Sequence, residues 1–131
     1  MIQFRKIEPA EWPLVAEWWL SAGIEGFNWS DLPAERSFFA VVDDEPVLAV
    51  SLMLGESKIA WIEAFVGNPE FDCDRRQVTT KMLLVFLEGV AKDHGATKLF
   101  CMSPNLSLSD YYARLGFRKT GTVDTFIKEI V

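Results

Sequence analysis

The chain has 131 residues, of which 50% are apolar and 24% charged, and thirteen Lys and Arg against nineteen Asp and Glu leave a net charge of −6. That length predicts a single domain over residues 1–131, with a core large enough to need neither a disulfide nor a structural metal. The composition excludes an intrinsically disordered chain, and the acidic balance argues against nucleic acid or an anionic membrane as a partner. The longest strongly apolar stretch, residues 47–54, is eight residues long, whereas a bilayer span needs about twenty. Residues 1–6 also lack the basic-then-apolar order of a secretory signal.

Residues 2–7 predict a first strand, loosely alternating through Ile2, Phe4 and Ile7. Pro9 suits the first turn of a helix. Within residues 10–21, Trp12, Val15, Ala16, Trp19 and Leu20 recur at helical spacing and form an amphipathic stripe. Asp31 is placed to cap a short second helix begun by Leu32-Pro33-Ala34. From Ser37 the period shortens. Residues 38–42 and 47–54 are β-branched or apolar runs joined by Asp43-Asp44-Glu45-Pro46, which predicts a hairpin. After a turn at Gly55-Glu56-Ser57, residues 59–66 supply a third antiparallel strand, ended by Gly67-Asn68-Pro69.

Residues 77–94 carry the strongest helical pattern. Val78, Met82, Val85, Phe86, Gly89 and Val90 make one stripe, extended by Leu83, Leu84, Leu87 and Ala91. Lys81, Glu88 and Lys92 mark a narrow wet face, and Gly95 stands at the C-terminal cap. Residues 97–102 then form a strand parallel to 59–66 through a βαβ crossover. Ser107 and Asp110 open a short helix through Leu108, Tyr111, Tyr112 and Leu115, after which residues 117–120 and 122–130 are candidate closing strands.

This order, β-α-α-β-β-β-α-β-α-β-β, resembles the GNAT superfamily of N-acyltransferases. Asn105-Leu-Ser-Leu-Ser-Asp-Tyr-Tyr112-Ala-Arg-Leu-Gly116-Phe117 is similar to the family's Asn, short helix with Tyr, and Leu-Gly-Phe opening the next strand. Val66-Gly-Asn-Pro69 resembles the strand end and Pro before the family's phosphate loop. Arg75 stands at the family's distance before Met82-Leu83-Leu84 to begin its Arg/Gln-x-x-Gly-x-Gly/Ala pattern. The resemblance covers nearly the whole chain, most firmly residues 59–117. It implies an α/β (α+β) fold, a mixed, mostly antiparallel seven-stranded sheet with helices on both faces. It further implies transfer of an acyl group, acetyl above all, from coenzyme A to a primary amine on a small molecule or a protein.

The site residues follow from the same likeness. Arg75, Arg76, Gln77, Val78, Thr79 and Thr80 are implied to hold the cofactor pyrophosphate on helix N-terminal amides. A basic pair there opposes the helix dipole, so either an anionic partner explains Arg75 and Arg76 or they are a solvated pair. Val78 and Thr80 replace the family's small residues and crowd the backbone, and Asp72 and Asp74 oppose an anion. The amides around Phe65 and Val66 are implied to polarise the thioester carbonyl.

Tyr112 is either the general acid that protonates the departing thiolate or a packing residue of its helix. Asn105 either binds the pantetheine amide or ends a strand. Glu63, alternating with Trp61 and Phe65, is either a desolvated general base for the amine or a solvated sheet-face carboxylate. Trp18, Phe27 and Trp29 either line an aromatic acceptor pocket or pack the core. Cys73 and Cys101 have no CxxC spacing and the chain has a single His. No metal site is therefore expected, and two free thiols suit a cytoplasmic protein, monomer or homodimer. The rival to an acetyl-CoA-dependent enzyme is a GNAT-fold module whose cofactor site has degenerated.

Overall fold

The computed structural model describes residues 1–101, 109–118, 120, 128 and 130. β1 (Ile2–Lys6) leads through a 3-10 turn into α1 (Trp12–Ser21). Two further 3-10 turns, Trp29–Asp31 and Ala34–Arg36, take the place of the short helix expected after Asp31. The reason is Pro33, which disfavours helical geometry at the preceding residue, and Leu32 is extended with ψ 151. β2 (Ser37–Val42), β3 (Glu45–Met53), β4 (Ile59–Gly67), α2 (Cys73–Asp93), β5 (Lys98–Cys101) and α3 (Ser109–Arg114) follow.

The strands lie side by side in the order β1-β2-β3-β4-β5. All neighbours are antiparallel except β4 and β5, which run parallel on either side of α2 in sequence. The β2–β3 hairpin turns at Asp43 and Asp44, both left-handed with φ 49 and 68, as a two-residue turn matched to strand twist requires. The sheet has five strands among the described residues, not the seven expected. Phe117, expected to open the sixth, instead donates its amide to the Tyr112 carbonyl at 3.1 Å and closes the end of α3. The seventh, over residues 122–130, lies almost wholly outside the described residues.

Side-chain alternation sends apolar groups to two faces. Phe39, Val41, Ala49, Ala64 and Val66 meet the α1 tryptophans on one face. Leu48, Val50, Leu52, Ala60 and Ile62 meet Leu83, Leu84 and Leu87 of α2 on the other, where Tyr112, Leu115 and Phe117 also pack. α2 begins four residues earlier than its apolar period suggested, because the Asp72 carboxylate accepts the Asp74 amide at 3.3 Å and caps it. It ends as expected at Gly95 (φ 85), with the Ala96 amide reaching back to the Ala91 carbonyl at 3.0 Å. Its inward stripe is Thr79, Leu83, Leu84, Leu87 and Ala91, and Val78, Met82 and Val85 point outward. Among the described residues, no helix is long and apolar enough to cross a membrane.

Candidate active site

A β-strand alternates its faces strictly unless an extra residue is inserted. β4 has such an insertion. Ala49 pairs with Val66 and Ser51 with Glu63, so Ala64 and Phe65 stand together opposite Val50 alone. Ala64 takes the left-handed conformation, φ 54, rare for a residue with a β-carbon. The bulge reverses the alternation: Phe65 packs on the α2 face, and Ala64 and Val66 on the α1 face. Glu63 is therefore not flanked by Trp61 and Phe65 on one face, as the unbroken pattern suggested, because Phe65 has crossed to the other.

The bulge is held from outside the sheet. The Trp19 indole donates to the Ala64 carbonyl at 3.3 Å, and Trp19 is itself fixed between Trp12 and Phe27, with ring centroids 5.9 and 5.7 Å away. The period of α1 marks Trp19 only as a core residue. Its polar role has no sequence signal, since Ala64 carries no glycine to betray the bulge.

Beside the bulge the described pairing of β4 ends on one side. β5 pairs with β4 only over residues 59–62, while β4 runs on to Gly67, so five residues of β4 have no described partner on that edge. Glu63 is the first of them and lies on the α1 face, across from Ser51. Ser51 shares a 2.8 Å hydrogen bond with Ser37, which can also donate to the Pro33 carbonyl at 2.7 Å. Glu63 is half-buried, and loss of hydration raises its carboxyl above the ordinary range. Tyr112 belongs to the opposite face, half-buried, its ring edge-on to Phe117 at 5.7 Å. The two candidate catalytic groups thus belong to opposite faces of the sheet. Asn105 lies outside the described residues.

The expected pyrophosphate segment is not a loop. Arg75 through Thr80 are helical, so from Arg76 onward their amides are spent inside α2, the Arg76 amide on the Asp72 carbonyl at 2.9 Å. The Thr79 and Thr80 hydroxyls donate to the Arg75 and Arg76 carbonyls at 2.7 and 2.8 Å. Arg75 bridges to Asp43 at 3.4 Å and lies over the Phe71 ring, and Arg76 donates to the Asn68 carbonyl at 3.1 Å. Val78 faces outward, 59% exposed, so it does not crowd the helix N-terminus. That N-terminus is occupied instead by Asp72 and Asp74. For a coenzyme A thioester, the residues present fit the acyl end at β4, while the α2 end carries its own carboxylates where a diphosphate would bind.

Of the three aromatics expected at an acceptor pocket, Trp18 is 4% exposed against Phe39 and belongs to the core. Trp29 is half-exposed and stacks on Trp12 at 6.2 Å, and Phe27 rests on Trp19. Among the described residues, no group of three or more His, Cys, Asp or Glu could hold a metal ion.

Residues 2–117 match the Acetyltransferase (GNAT) family. The chain belongs to the GNAT acetyltransferase family. No curated protein matches it. Among solved structures, this GNAT chain is similar to an acetyltransferase from Trypanosoma brucei, with 16% identity over 98% of this chain and 100% of that one and a TM-score of 0.74. It is also similar to glucosamine-6-phosphate N-acetyltransferase from Arabidopsis thaliana (12% identity, 98% and 99% covered, TM-score 0.69). A third, a predicted acetyltransferase with acetyl-CoA from Clostridium acetobutylicum, has 15% identity, 97% and 96% covered, and a TM-score of 0.64. Likenesses at this identity establish the GNAT fold.

Proposed function

We propose that this GNAT protein transfers an acetyl group from acetyl-CoA to the primary amine of a small-molecule or protein acceptor. One observation carries the reading: the Ala64 bulge stands where the described pairing of β4 with β5 ends, with a carboxyl on the α1 face of β4 and a phenol on the α2 side of the sheet. Of the backbone amides around Phe65 and Val66, the one facing away from β3 is the donor to the thioester carbonyl as negative charge develops on its oxygen. Glu63, made more basic by desolvation, takes the proton of an ammonium arriving from the α1 face. The amine nitrogen bonds to the acyl carbon as the C–S bond breaks, and the Tyr112 hydroxyl protonates the thiolate leaving on the α2 face. Phe27 and Trp29 suit the wall of the acceptor side, and Trp18 has no part in it.

The acidic start of α2 favours a second reading, a GNAT-fold module without cofactor chemistry. Thermal unfolding with millimolar acetyl-CoA, alongside mass-spectrometric detection of acetylated amines, separates the two. Ligand at about a hundredfold its Kd adds about 2.7 kcal/mol, or several degrees in Tm. A shift together with an acetylated product supports the enzyme. Neither a shift nor a product, with acetyl-CoA or longer acyl chains, leaves the module.

A further inference from the structure

The outward face of α2 carries an apolar strip among its charged residues, where a solvent-facing helix should be polar. Val78, Met82 and Val85 are 59, 44 and 63% exposed. With Gly89 and Lys92 they fall at intervals of four, three, four and three residues, the spacing of a seam between two helices. Along this seam an open groove of about 400 Å³ runs between α2 and the edge strand β1, lined by Phe4, Lys81, Met82, Val85 and Phe86. Such a surface calls for a cover.

We propose that its cover is α2 of a second copy, packed antiparallel about a two-fold axis at Val85. Under that symmetry Val85 meets Val85, and Met82 of each copy lies over Gly89 of the other. A β-carbon added at Gly89 would touch nothing within 4 Å, so the long side chain has an open place to lie. Lys81 and Glu88, one heptad apart on the same flank of the seam, then face each other reciprocally, giving two symmetry-equivalent Lys–Glu ion pairs. This reciprocity singles out a second copy, because an unrelated partner has no need of charges related by the chain's own symmetry. A contact confined to one 21-residue helix, about 31 Å long, falls at the small end of interface sizes, so a reversible dimer is expected.

Sedimentation equilibrium from low to high micromolar protein tests this. The wild type should move from the 14.9 kDa monomer to twice that mass. Val85→Lys puts two like charges on the axis and should leave only monomer, with the Tm unchanged at dilutions where the wild type is also monomeric, because the position is exposed. Lys81→Glu and Glu88→Lys should each weaken association roughly tenfold or more, and the double reversal should restore it. A wild type that stays monomeric, a dimer that survives Val85→Lys, or a double reversal that fails to restore association would overturn the proposal.

Discussion

Replacing Trp19 with Phe isolates the contact that holds the β4 bulge. The variant keeps an aromatic ring between Trp12 and Phe27 but cannot donate to the Ala64 carbonyl. Trp19 is 5% and Ala64 7% exposed, so water cannot easily replace the lost donor. An unsatisfied buried carbonyl costs about 1–3 kcal/mol, and the smaller ring leaves a cavity worth about 1 kcal/mol more. A total near 3 kcal/mol lowers Tm by about 10 °C for a domain of this length. The loss should be local as well as global: amide exchange at Ala64 and Phe65 should accelerate beyond the change in overall stability. Acetyl transfer, if assayed on an acceptor found for the wild type, should fall mainly in kcat. Thermal unfolding and hydrogen exchange provide the readouts. A loss below about 0.5 kcal/mol with unchanged exchange in β4 would show that the bulge stands without the indole and that the positioning argument fails.

Glu63 has a carboxyl raised above its unfolded value of 4.5. Its ionised form therefore opposes folding, by nothing below about pH 4 and fully only above the folded value. Glu63→Gln should be more stable than the wild type at pH 8, by under about 1 kcal/mol because the group is partly solvated, and equal to it at pH 4 in urea titrations. Tyr112→Phe should lower turnover on the order of a hundredfold with little change in Tm; unchanged turnover would make Tyr112 a packing residue. Asp74→Lys should enlarge the thermal shift given by acetyl-CoA if the acidic start of α2 is what weakens anion binding, and an unaltered shift would locate the weakness elsewhere. Asp44→Gly should stabilise the protein by about 1 kcal/mol in chemical denaturation, since φ 68 suits glycine at no steric cost.

Part of the candidate site could be read before any fold was known. Glu63 and Tyr112 stand out in the sequence as a lone carboxylate in an apolar strand and as the Tyr of a Tyr112-Ala-Arg-Leu-Gly-Phe117 segment, although the aromatic flank read around Glu63 is undone by the bulge. Apolar period alone starts the helix at Gln77, whereas the Asp72 carboxylate sets its start four residues earlier, so Arg75 to Thr80 lie within α2. Arg75 and Arg76 look like ligands in a linear chain. In three dimensions Asp43, Phe71 and the Asn68 carbonyl use them first.

Period and turn chemistry alone determined β1 to β4, the Asp43-Asp44 hairpin, the Gly95 cap and the parallel β4–β5 crossover, because those signals are local to a few consecutive residues. Tertiary structure decided the rest. Apolar residues of α2 spread over more than one side of the helix, so only the sheet beneath it selects Leu83, Leu84 and Leu87 as the inward side and leaves Val78, Met82 and Val85 outside. The bulge at Ala64 likewise depends on an indole forty-five residues earlier in the chain. A single left-handed alanine costs about 1–2 kcal/mol, which no local pattern supplies and which a long-range hydrogen bond and burial against α1 offset.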